Sequence, residues 1–166
     1  MQELKNRVEE KMLECISKAE ESFGRDFPMI PVRYDLKGRC AGQFCTRYGS
    51  SYLRVNTVLL TENVEHYIAQ TIPHEVAHYI NRVTSPFASA HGNEWKNIMT
   101  RIMGVRADRC HSYDTSNARQ GSKTTKRFTY KCGCKTHELS TVRHNRIVRR
   151  GTVYTCKKCK VGLTRV

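Results

Sequence analysis

Three histidines and a glutamate within "HEVAHYINRVTSPFASAH", residues 74–91, have the types and spacing of a hydrolytic metal centre. His74 and His78 stand four apart, so on a helix their rings project from one face, a turn apart, and can reach a single ion. Glu75 sits beside them at an offset that suits a proton-accepting base better than a ligand. A catalytic zinc takes three protein ligands, keeps a fourth position open and lowers the pKa of water there to roughly 7, so a third ligand is expected downstream. His91 is the candidate, because the twelve residues after His78 let the chain leave one helix, turn, and present His91 at the start of the next. Gly92 lets the backbone pass close to that site, and Trp95, one turn on, is expected to pack beneath the metal helices. The competing reading is a surface helix that carries histidines by chance, since the bare motif fixes only three positions. His66 is read as a surface or satisfied residue. His111 could approach the site from beyond the second helix, although nothing in the spacing demands it, and His111 and Tyr113 are the candidates for holding the oxyanion of a hydrolytic step. Cys15, Cys40, Cys45 and Cys110 read as small core residues.

A second ligand group lies near the C-terminus, in "CGCKTH" and "CKKC". Cys156 and Cys159 form a Cys-x2-Cys knuckle. Cys134 and His137 share that spacing, and eighteen residues separate His137 from Cys156, a separation suited to a zinc ribbon. Cys132 can replace either member of the first pair. Four soft or borderline ligands with no open position make a structural site that folds a segment too small for its own core. Between the knuckles, Arg143, Arg146, Arg149 and Arg150 alternate with apolar residues, and Phe128, Tyr130 and Tyr154 flank them. Cations with aromatic neighbours suit nucleic acid, bound without regard to sequence and sensitive to salt. The alternative is a solvated basic surface.

The elements that must position these groups are also readable. Leu4, Val8, Met12, Cys15, Ile16, Ala19 and Phe23 recur at helical spacing, and Gly24 can end that helix. "MIPVRYDL", "CAGQFCTRY" and "YLRVNTVLL" predict three strands in an antiparallel meander, whose edge could hold a peptide by strand addition. Thr61 is the expected cap of a helix running through Ile80, with Pro73 bending or restarting it just before His74. "NEWKNIMTRIMG" predicts a second helix, stopped by Gly104. The expected organisation is a core over residues 1–113, a basic linker over 114–127, and a small β ribbon over 128–166 in which the segment around "NRIVRRG" is a strand.

The chain has 166 residues and a formal net charge of +14. Residues 1–115 carry 15 Lys/Arg against 14 Asp/Glu, whereas residues 116–166 carry 14 against 1, so the tail holds the excess. No apolar run is long enough to span a membrane, and the acidic, amphipathic start is unlike a targeting signal. The expectation is a cytoplasmic protein, with nucleoid association as the alternative, whose cysteines serve metal rather than disulfides.

"IPHEVAHYI" with "HGNEWKNIM", "GVRADRCHSYD", the upstream "AGQF" and "LRVNTVLLTEN", and the terminal "YKCGCKTHELSTVRHNRIVRRGTVYTCKKC" together resemble the SprT family of zinc metalloproteases along nearly the whole chain. The resemblance implies an α+β, zincin-like protease core with His74, His78 and His91 as zinc ligands and Glu75 as general base, followed by a zinc ribbon. It implies two zinc ions, one catalytic and one structural. Relatives in the Spartan branch degrade proteins crosslinked to DNA, so the expected partners are protein substrates and DNA. The ribbon's Cys-x-Cys-x2-His order is that of the bacterial branch, and no segment resembles Spartan's partner-binding tail. The rival from a different class is a nucleic-acid-binding adaptor in which both metals are structural.

Overall fold

In the computed structural model the chain divides into two compact units, Met1–Gln120 and Gly121–Val166. The structure describes residues 1–118 and 126–166. Both units mix helices with small three-stranded sheets, an α+β architecture.

In the first unit, helix α1 (Gln2–Phe23) buries Val8, Met12, Cys15, Ile16 and Ala19, the predicted stripe. It ends where Gly24 turns left-handed (φ 60°) and returns its N–H to Glu20 O. Strands β1 (Val32–Arg33), β2 (Gly42–Arg47) and β3 (Ser50–Val55) form a sheet in the order β1-β3-β2. Strands β2 and β3 are an antiparallel hairpin, turned by Tyr48 and Gly49, both at positive φ as a tight two-residue hairpin needs. The expected meander is otherwise corrected, because β1 lies parallel to β3 on its far side. Residues 36–41 carry the chain across, and Asn56 pins them by donating to Gly38 O and Cys40 O.

Asn56 also corrects the expected cap. Its side chain accepts from Val58 and Leu59 N–H at the start of α2 (Thr57–Glu62), whereas Thr61 lies inside that helix and bonds back to Thr57 O. A short α3 (Val64–His66) runs through a wide turn at Tyr67–Thr71, bonded i to i+5, into α4 (Ile72–Thr84). The extra residue in that turn accommodates Pro73, which has no N–H and would otherwise collide with the preceding turn. The predicted break is therefore a local widening rather than a restart. Helix α5 (Asn93–Asn97) likewise widens at Ile98–Ile102 before Gly104 (φ 69°). Trp95, Ile98 and Met99 join α1, α4 and β3 in one core.

The packed first unit reaches beyond the expected boundary at 113. Thr115 and Ala118 are buried, and Ala118 O accepts from Gly38 N–H. The rest of the expected linker, up to residue 125, lies outside the described residues.

In the second unit, β4 (Arg127–Lys131) pairs antiparallel with β5 (Thr136–Ser140) and β6 (Thr164–Arg165). Residues 141–150, expected as strand, are helix α6 (Thr141–Arg150), ended by left-handed Gly151. A helix there buries one residue, His144, and leaves the arginines in solvent, which a half-buried strand could not do for so many charges.

Candidate metal centres

The wide turn and α4 set His74, Glu75 and His78 in register, and the chain returns through residues 85–90 to deliver His91 just before α5. The Nε2 atoms of His78 and His91 lie 3.1 and 3.3 Å from that of His74, and all three ligand atoms fall within 4.8 Å of one another. Tetrahedral zinc, with bonds of about 2.0–2.1 Å to nitrogen, needs ligand atoms at about this separation. His74 Nδ1 stands 3.1 Å from Asp108 O, and a carbonyl only accepts, so that nitrogen carries the proton and Nε2 presents a lone pair. The Ala90 backbone bonds His78 in the same way.

Burial favours the neutral form of the rings. It pulls His74 down to about 4, with His91 adding to the effect, and His78 to about 3, helped by both neighbouring rings. His91 is lowered too, by burial and then by Arg109. Trp95, fully buried, supports the cluster with its ring centroid 4.8, 5.5 and 4.7 Å from those of His74, His78 and His91. The site can therefore hold a zinc ion.

Glu75 is 7% exposed and reaches to β2, where its Oε2 accepts from Phe44 N–H at 2.7 Å. Burial pushes its carboxyl up to about 7, against the lowering effect of that N–H. One oxygen is thus oriented, and Oε1 is left to take a proton. Gly42 makes the close approach possible, since a Cβ there would meet Glu75 Cγ at 2.6 Å, Oε1 at 2.7 Å and Cδ at 2.9 Å. Nothing local in "AGQF" reveals this neighbour 33 residues away. Gly42→Ala is expected to lower stability by about 1–3 kcal/mol through overpacking, read as a fall in the thermal midpoint with the histidine site still binding zinc. An unchanged midpoint would contradict the packing described.

A cleft of about 1040 Å³ opens over this centre between β2, α4 and a strap formed by residues 105–113. Backbone carbonyls hold the strap down, with Arg106 O taking a bond from Gln70 and Asp108 O one from His74. His66, expected as a surface or satisfied residue, is exposed where it lines the cleft and meets the Tyr113 hydroxyl through Nδ1 at 2.8 Å. His111 also lines it, 3.0 Å from Arg39 O. Of the four cysteines expected in the core, Cys15 alone is buried; Cys40 and Cys110 are exposed in the cleft wall and Cys45 is half-buried.

In the second unit, Cys132, Cys134, Cys156 and Cys159 bring their sulfurs within 4.8 Å of one another. The favoured set with His137 is thereby corrected, and the alternative ligand Cys132 takes its place. His137 projects from β5 with Nε2 3.3 Å from Cys132 Sγ, as a neighbour to the ligand rather than a member of the group. Backbone N–H groups draw Cys132 down to about 5 and Cys156 to about 7, while Cys134, hemmed in by the other sulfurs, is pushed up to about 12. Thiolate is the ligand form, and the cluster can hold zinc as a closed site.

Arg143, Arg146, Arg149 and Arg150 are exposed on α6, and Val142, Asn145, Arg146, Arg149 and Arg150 line one shallow groove. Two of the three aromatics expected to face bases do not stand free. Tyr130 is buried with its hydroxyl on His144 Nδ1, and Phe128 stacks flat on the His144 ring. Tyr154 is half-buried, with the Arg143 guanidinium 5.8 Å from its ring centre. Among the described residues no helix is long and apolar enough to cross a membrane.

Against known proteins, the SprT-like family model matches residues 12–120. Three curated proteins, each called Protein SprT, align along almost the full chain. That of Pasteurella multocida is 36% identical over 163 residues, 98% of this chain and 94% of its own. That of Vibrio parahaemolyticus is 34% identical over 157 residues, 95% and 91%, and that of Pseudomonas paraeruginosa 39% over 153 residues, 90% and 88%. No solved structure matches.

Proposed function

The chain belongs to the SprT-like family, and from that premise we propose that its first unit is a zinc-dependent endopeptidase and its second a zinc-stabilised nucleic-acid-binding module. The observation that carries the first part is a buried glutamate with one oxygen oriented and one open, beside three convergent imidazole nitrogens. Zinc bound there supplies Lewis acidity toward a scissile carbonyl and toward water. His74, His78 and His91 hold and orient the ion. Glu75 Oε1 accepts the proton of the attacking water and returns it to the leaving amine, while Phe44 N–H keeps the carboxylate aimed. Strand β2 has β3 on one side only, and its other edge can pair an extended stretch of substrate. A purely structural metal centre would have no use for a carboxylate desolvated beside its ligands, which weighs against the adaptor reading.

Substrates on DNA follow from the charge of the tail, where 14 Lys/Arg face a single acidic residue over residues 116–166. Four arginines exposed on one short helix supply phosphate contacts. Changing Arg143, Arg146, Arg149 and Arg150 to Gln is expected to weaken DNA binding and to flatten the plot of log affinity against log salt by about 1 for each arginine that meets a phosphate. An unaltered slope in a fluorescence-anisotropy titration would remove the helix from the interface.

The combined reading is tested by comparing cleavage of a protein covalently attached to an oligonucleotide with cleavage of the same protein free. Faster cleavage of the attached form is expected. Equal rates would remove DNA from the function and leave the peptidase.

A further inference from the structure

We propose that the Tyr113 hydroxyl is the group that stabilises negative charge developing on the scissile carbonyl oxygen, a role that rests on the peptidase reading above. Tyr113 closes the strap over the cleft that holds the histidine centre, and its hydroxyl is held by two side chains, His66 Nδ1 at 2.8 Å and Thr71 Oγ1 at 2.9 Å. A phenol oxygen accepts two hydrogen bonds and donates one. Either partner of each contact can donate; the proposed role takes His66 Nδ1–H and the Thr71 hydroxyl as the donors, which leaves the Tyr113 proton for the cleft. Burial raises the Tyr113 phenol above its ordinary range, so the proton stays in place.

The position fits the chemistry. Thr71 precedes His74 by three residues and Glu75 by four, on a helical face where such neighbours stand about 5–6 Å apart. Tyr113, Thr71 and His66 line the same cleft as His74 and Glu75. The Tyr113 ring is clamped, stacked between Tyr67 at 6.0 Å and His111 at 4.6 Å. A donor fixed before the substrate arrives costs no reorganisation when charge develops, the condition under which such donors are most effective.

The same geometry excludes the neighbouring histidine. His111 Nδ1 accepts from Tyr113 N–H, and Nε2 faces Arg39 O, which only accepts. Its tautomer is fixed and both nitrogens are engaged, so His111 positions Tyr113 and has no proton to offer. Arg39, Arg106 and Arg109 also line the cleft; the Arg106 side chain is paired through Nε with Asp108 Oδ2 at 3.2 Å, and Arg39 and Arg106 offer backbone oxygens to His111 and Gln70.

Tyr113→Phe removes one oxygen and leaves the stacked ring. Four quantities are compared with wild type: kcat and KM on an unfolded protein reporter, affinity for a peptide with a phosphinate in place of the scissile amide, zinc per chain, and the thermal midpoint. The expected result is a fall in kcat of about 10²–10³, an unchanged KM, a matching loss of phosphinate affinity, and unchanged zinc and midpoint. Equal kcat, or undiminished phosphinate affinity, would overturn the assignment. Loss of zinc or of folding would overturn it too, since the hydroxyl would then be structural. A wild type that neither cleaves the reporter nor binds the phosphinate fails the peptidase reading itself. An active wild type with an equally active Tyr113→Phe fails the tyrosine alone.

Discussion

Glu75→Gln is expected to cut peptide-bond cleavage by about 10²–10⁴, to background in an ordinary assay, with zinc content and folding intact. The amide can still accept from Phe44 N–H through its oxygen, so the bond now made by Glu75 Oε2 survives. Its NH2 group then stands where Oε1 was, a donor in place of a proton acceptor. Stability is not expected to fall, because the native site already disfavours charge there, pushing the carboxyl up to about 7. A neutral amide removes that burden. Elemental analysis and calorimetry beside the cleavage assay separate the outcomes. Retained cleavage would exclude Glu75 as the base, and loss of zinc would make it part of the metal scaffold.

The second large effect is expected in the other unit. Cys132→Ser or Cys156→Ser should melt it, because its described apolar interior is little more than Tyr130, Leu139 and Cys156 itself. A domain of that size needs a staple, and a structural zinc contributes on the order of 10–16 kcal/mol of apparent binding energy. The first unit has its own core, from Val8 to Ala118, and should keep its metal and its protected amides. His137→Ala is expected to behave differently, weakening the site by about 10–100-fold as a neighbour to a ligand does. Amide exchange and zinc counting read both. Loss of both metals from one cysteine change would make the two units a single folding unit, and a His137→Ala chain as unfolded as Cys132→Ser would restore His137 to the ligand set.

What could be read from the sequence depended on how local each cause was. The i, i+4 spacing of His74 and His78, the helical stripe of α1 and the left-handed stops at Gly24 and Gly104 are local, and they carried the centre and its main helices. Arg143, Arg146 and Arg149 recur every three residues, a helical step that the alternating valines and isoleucine obscured. The x2 spacing of Cys134 and His137 favoured His137 over Cys132 as a ligand, and only the pairing of β4 with β5 brings Cys132 into the sulfur cluster. The parallel placement of β1, the contact of Gly42 with Glu75 and the junction of His66 with Tyr113 join residues 20 to 50 positions apart. Local pattern carries no record of such pairings, and the strap of residues 105–113, with few apolar residues in alternation, gave little periodicity to read.

The most direct test of the central claim is mass spectrometry of the termini generated when the zinc-loaded chain is incubated with an unfolded protein, with and without DNA. New internal termini are expected from wild type and none from Glu75→Gln. A wild type that carries zinc on His74, His78 and His91 yet produces no new termini in either condition would contradict the account.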